Sequence, residues 1–173
     1  RTRLDHDLTG ITGCHGRDDS WFTVRVMDLW ELAARERIRD TLAQYNWSGD
    51  ALRLDDLAQT FCEDGELALH GSEPVRGRTA IVALLGGVVA SPNATAQASG
   101  AKRIVRHNVT NIRFTDMTPQ EARVACYFTV LTEIGLDHYG RYRDVFVPVG
   151  ADWLIRHRFV STDWSAPDST MAR

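Results

Sequence analysis

From residue 102 to residue 163 the chain reads as four long strand-like runs, at 102–115, 121–135, 136–149 and 151–163. Only short turn-forming stretches separate them: Asp116-Met-Thr-Pro-Gln120, the neighbourhood of Gly135, and Gly150. Strands that follow one another so closely leave no room for crossover connections, so they are expected to pair antiparallel as a meander. That requirement excludes a doubly wound parallel fold and asks what covers the sheet.

The cover comes from the first half. From Asp28 a helical pattern sets in, with Leu32, Ile38, Leu42 and Tyr45 approximating one face and Arg35, Glu36, Arg39 and Asp40 the wet side. Gly49 is a natural stop for it. A second helix is expected over 54–61, ended by Glu63-Asp-Gly65, then a strand over 66–70, a Gly-Ser-Glu-Pro turn and a third helix from Arg78. Three helices and a long antiparallel sheet make an α+β layout. A strongly curved sheet wrapped around helices leaves a cone whose mouth is a natural small-molecule site. The apolar part of the run 80–101 is too short to cross a bilayer. Residues 1–26, glycine-bearing and without a sustained period, read as an extension, and Met27 is a plausible natural start. Residues 27–164 form the domain, and 165–173 a polar tail.

A chain of 173 residues fits one domain, and its formal net charge of −3 carries no basic patch for nucleic acid. Cys14, Cys62 and Cys126 are odd in number and far apart, which points to a reducing compartment and, with no apolar leader, to the cytoplasm. Without a secretory signal, the three Asn-x-Ser/Thr tripeptides read as chance matches. The sequence contains no metal-ligand motif, no phosphate-cradling loop and no activated serine or cysteine, so neither metal nor cofactor is expected.

What remains for chemistry is His107, inside a run of β-branched residues. It is either an ordinary tucked-in histidine or a base held in a pocket. A base needs an acid that orients one ring nitrogen and frees the other. Asp50, just beyond Gly49, is the candidate, and Tyr45 on the same helix supplies a phenol. Taken singly, Asp50 also reads as a turn residue and Tyr45 as core with its hydroxyl at the edge.

Several stretches carry a resemblance: Glu31-Leu-Ala-Ala-Arg-Glu-Arg-Ile-Arg-Asp40 with Tyr45 and Asp50, Leu57-Ala-Gln-Thr-Phe-Cys-Glu-Asp-Gly-Glu66, Arg106-His-Asn-Val-Thr-Asn-Ile112, Gly140-Arg-Tyr-Arg-Asp144 and Trp153-Leu-Ile-Arg-His157. Together they resemble SnoaL-like domain proteins of the scytalone dehydratase and nuclear transport factor 2-like superfamily, over residues 28–164. The resemblance implies a cone-shaped, curved antiparallel sheet around three N-terminal helices, a cystatin-like α+β barrel. It also implies an Asp–His dyad of Asp50 and His107, with Tyr45 as hydrogen-bond donor, acting in cofactor-free elimination or isomerisation. The substrate would be small, apolar and cyclic. Tyr142 matches an inward tyrosine of the family, and Phe128 and Leu69 are candidates for the wall. Neither a further acid nor a second basic residue has a match, and Val130 occupies one such place. Arg141 and Asp144 imitate part of an epoxide hydrolase set whose remaining aspartate is missing.

His157, at period two with Trp153 and Ile155, reads as packing or a surface hydrogen bond, and His70 as a turn-side residue. Cys62 and Cys126 read as small buried hydrophobes. The stretch 91–100 is either a lid or a plain connection. The rival readings are a non-catalytic ligand-binding or partner-subunit member of the same fold, and a polyketide cyclase-type enzyme. No membrane partner is expected. Curved sheets of this class pack face to face, so a homodimer or homotrimer is expected.

Overall fold

A computed structural model describes residues 27–89, 104–169 and 171. The proposed extension over 1–26 and the stretch 91–100 lie outside these residues. The elements are α1 (Leu29–Asp50), α2 (Leu54–Ala58), β1 (Phe61–Leu69), β2 (Val75–Arg76), α3 (Arg78–Val89), β3 (Arg106–Met117), β4 (Ala122–Thr132), β5 (Gly135–Val149) and β6 (Asp152–Ser165). The fold is α+β, with one open six-stranded sheet in the order β2-β1-β6-β5-β4-β3.

The meander from β3 to β6 is antiparallel throughout. The sheet as a whole is not, because β1 lies parallel to β6. A strand that precedes α3 and the whole meander can reach the free edge of β6 by the long return that a parallel neighbour requires. The helix expected over 54–61 is shorter than its apolar spacing suggested. Thr60 turns its hydroxyl onto the Leu57 carbonyl at 2.6 Å and ends it, and the chain enters β1 at Phe61.

Helix α1 buries Ala34, Ile38, Leu42 and Tyr45 at helical spacing against the sheet. Leu32 was expected on that face and is instead exposed. Six residues before Ile38 it lies about 240° around the helix, on the far side at 100° per residue. Nor does Gly49 stop the helix. The last turn runs on to Asp50, and this places the Asp50 carboxylate.

Strand β4 alternates without a break: Ala122, Val124, Cys126, Phe128, Val130 and Thr132 are buried, and the residues between them face outward. That is the period-two signature of a sheet with one face packed and one wet. At Gly140 the backbone of β5 comes so close to β6 that a Cβ would fall 2.0 Å from the Ser161 carbonyl oxygen and 2.8 Å from the Phe128 ring. Only glycine permits this approach. Among the described residues no helix is long and apolar enough to cross a membrane.

Candidate active site

Between α1 and the concave face of the sheet lies a cavity of about 590 Å³. Tyr45, Leu69, His107, Phe128 and Tyr142 all line it. The sixth residue singled out in the sequence, Asp50, stands behind His107. Its Oδ1 is 2.6 Å from His107 Nδ1, and its Oδ2 accepts the backbone N–H of His107 at 3.1 Å. The two side chains retain 17% and 13% of their exposure, so the pair is largely withdrawn from water. An ionised carboxylate can only accept, so Nδ1 carries a proton, and in the neutral ring Nε2 is then the nitrogen with the lone pair.

A second aspartate–histidine pair sits beside the first. His138 Nδ1 lies 2.7 Å from Asp137 Oδ1, and both residues are buried. His107 and His138 are each register partners of Val130 on β4, one from either side, and their rings stand 6.5 Å apart. Neighbours in sequence normally point to opposite faces of a strand. Here the β4–β5 register slips between Val130 and Leu131, and such a bulge lets Asp137 and His138 both turn inward. Burial holds the His138 imidazole below its usual value; the Asp137 hydrogen bond works the other way and the nearby His107 adds to the depression. His138 also lines the cavity.

The floor is built on a buried charge pair. Arg158 and Asp144, both without exposure, meet through two hydrogen bonds of 2.9 and 2.7 Å. They are cross-strand partners on β6 and β5. The Arg158 guanidinium is clasped between the rings of Tyr45 and Tyr142, 4.1 and 4.2 Å from their centroids. Burial works against its charge, but the adjacent Asp144 carboxylate outweighs burial and holds the guanidinium firmly protonated. Both phenols are raised above their usual range by burial, with Arg158 opposing, so they are neutral donors. Phe128 stacks on Tyr142 at 4.6 Å and completes the wall.

The pattern Tyr142, Asp144, Phe146, extended two steps backwards through Gly140, reaches His138. The same period-two alternation that turns Tyr142 inward therefore carries a signal in the sequence for an inward histidine at 138. The Asp144–Arg158 pair depends on the β5–β6 register, which no local pattern reveals. Arg141 faces outward and pairs with Asp163, on the opposite side of the sheet from Asp144, so Arg141 and Asp144 do not meet. His157 Nε2 lies 3.4 Å from the Glu66 carboxylate at the surface, and His70 is exposed in the turn after β1. Cys62 and Cys126 are buried free thiols, and burial pushes Cys126 up to about 12. Among the described residues no group of three or more His, Cys, Asp or Glu side chains could hold a metal ion.

An open α+β sheet enclosing a cavity with carboxylate-backed histidines defines a class of small-molecule-binding fold. Residues 30–159 match the SnoaL-like domain family, and the chain belongs to it. Among solved structures it is similar to a candidate scytalone dehydratase from Novosphingobium aromaticivorans, with a TM-score of 0.65 and 22% identity, covering 79% of this chain and 89% of that one. It is similar to ActVI-ORFA from Streptomyces coelicolor, with a TM-score of 0.63 and 20% identity over 75% and 96% of the two chains. A nuclear transport factor 2-like protein of cystatin-like fold from N. aromaticivorans gives a TM-score of 0.61 and 25% identity over 82% and 94%. No protein of curated function matches in sequence. The family comprises isomerase-, cyclase- and dehydratase-type proteins.

Proposed function

We propose that this chain is a lyase or isomerase that removes a carbon-bound proton from a small apolar, cyclic substrate using its own side chains. The observation that carries the reading is the 2.6 Å contact between Asp50 and His107 at the wall of a partly apolar cavity. His107 Nε2 takes the proton from carbon beside a carbonyl. Asp50 holds the tautomer and stabilises the imidazolium that forms, and the Tyr45 hydroxyl donates to the carbonyl oxygen as charge gathers there. In an elimination the C–H electron pair becomes the new C=C bond. The neighbouring hydroxyl leaves with the C–O pair and takes the proton from His107 as water. His138, neutral near pH 7, accepts a hydrogen bond from that hydroxyl and orients it. In an isomerisation the same proton returns to a different carbon. A positioned base contributes about 10²–10⁴-fold, and the exclusion of water by bound substrate the remainder.

The test is incubation with a panel of cyclic β-hydroxy ketones in D₂O, followed by mass spectrometry. Expected are loss of water or deuterium uptake beside the carbonyl with the unaltered chain, and neither with His107→Gln. Equal uptake with both proteins refutes the assignment. Activity that survives His107→Ala and disappears in Asp50→Asn points instead to aspartate-centred cyclase chemistry.

A further inference from the structure

Beyond β6 the chain turns back on the second histidine. The Ala166 N–H donates to the Asp137 carbonyl at 2.8 Å, and the Ser169 N–H to the Ala166 carbonyl at 3.0 Å. This fold-back buries Ser169 to 2% exposure and sets its Oγ 2.7 Å from Asp137 Oδ1. His138 Nδ1 bonds the same oxygen at the same distance. Two residues on, Met171 donates its N–H to Ser169 Oγ at 3.3 Å, packs against the cluster of Val105, Cys126, Phe128, Val130 and Tyr142, and lines the cavity.

We infer that Ser169 is a positioning residue for His138, and that residues 166–169 and Met171 belong to the working site as well as covering it. A carboxylate only accepts, so both the Ser169 hydroxyl and the imidazole Nδ1–H donate to Oδ1. That shared oxygen fixes the His138 ring with its Nε2 lone pair toward the cavity. It also divides the negative charge that would otherwise draw a second proton onto the ring. Among the described residues, the other groups facing His138 are His107 with Asp50 behind it, across Val130, and the Phe128 ring edge-on at 5.8 Å. Thr132 Oγ1 approaches the other Asp137 oxygen at 3.4 Å. Because Met171 is both part of the wall and bonded to Ser169, a molecule that fills the cavity presses on the residue that holds His138. The catalytic significance of this arrangement rests on the proposed role of His138, but the arrangement itself can be tested without any substrate.

The experiment is a pH titration of the histidine ring signals by ¹H–¹⁵N NMR on the full chain, with His138→Gln identifying the resonances. In Ser169→Ala, Asp137 Oδ1 loses this donor and more of its charge falls to His138, whose midpoint rises by about half a pH unit or more. Ser169→Thr restores the unaltered midpoint, Ser169→Cys gives an intermediate one, and the signals of the other histidines superimpose throughout. A His138 midpoint that does not move in Ser169→Ala or Ser169→Cys overturns the inference. So does an equal displacement of every histidine, which marks a general loosening. Failure of the deuterium-uptake experiment leaves this result standing, so the two ideas fall separately.

Discussion

Replacing Asp50 by asparagine changes one atom and reverses the logic of the site. In the native pair Oδ2 accepts the His107 backbone N–H at 3.1 Å while Oδ1 accepts from Nδ1 at 2.6 Å. Asparagine keeps one oxygen, which the backbone N–H claims because a largely buried amide hydrogen must find an acceptor. The amide NH₂ then faces Nδ1. Since NH₂ only donates, Nδ1 must accept, and the ring proton moves to Nε2, the position that needs a lone pair to act as base. A charge-assisted bond of about 1.5–3 kcal/mol gives way to a neutral one of about 0.5–1.5. The expected net loss is ~1–2 kcal/mol, which for a chain of this size lowers Tm by about 2–8 °C. Proton abstraction falls about 10²–10⁴-fold. Ring ¹⁵N shifts report the tautomer directly, a thermal melt followed by circular dichroism reports stability, and deuterium uptake reports the chemistry. Persistence of the Nδ1–H tautomer in Asp50→Asn, or uptake within tenfold of the unaltered chain, would refute the argument that the aspartate sets the base.

Two further outcomes are expected. Arg158→Met strands Asp144 without its buried partner and costs about 3–5 kcal/mol in urea unfolding, whereas the double variant with Asp144→Leu comes back to within about 2 kcal/mol of the unaltered chain. Losses that simply add show instead that the pair is not coupled. The folded His138 binds its proton less readily than the unfolded chain does. Acidification therefore favours unfolding: the stability due to this residue is present above the unfolded value of about 6.5 and is lost as pH falls toward the lower folded one. Urea midpoints at pH 7.5 and 5.5 should diverge less in His138→Gln than in the unaltered chain, and an identical divergence contradicts the assignment.

The fold class was legible because its signals are local. Strand-length runs with turn residues between them define the meander, and apolar spacing defines α1. Asp50 and His107 could be paired because apolar spacing locates the end of α1 and the β-branched run locates the strand in which His107 is the second residue. Tyr45 follows from its place on the buried face of α1. What stayed hidden depended on register. His138 and Asp137 share a face only because the ladder slips beside Val130, and nothing in Asp137-His138 announces a bulge. The end of α1 was misplaced by one residue because Gly49 suggested a stop before Asp50. The parallel pairing of β1 was also out of sight, since it joins segments separated by most of the domain.

That pairing has a consequence for how the protein comes into being. Phe61 aligns with Ile155, so the first strand of the domain, which has short β2 on one edge, finds the main-chain partner of its other edge only when the last strand has been made. The final strand also delivers Arg158, the cation between Tyr45 and Tyr142. Contacts so distant along the chain form late and slowly, since closing long loops must precede their reward. During synthesis on the ribosome, helix α1 and strand β1 therefore wait with their apolar faces uncovered, and a nascent chain stopped before residue 158 has no floor to its cavity.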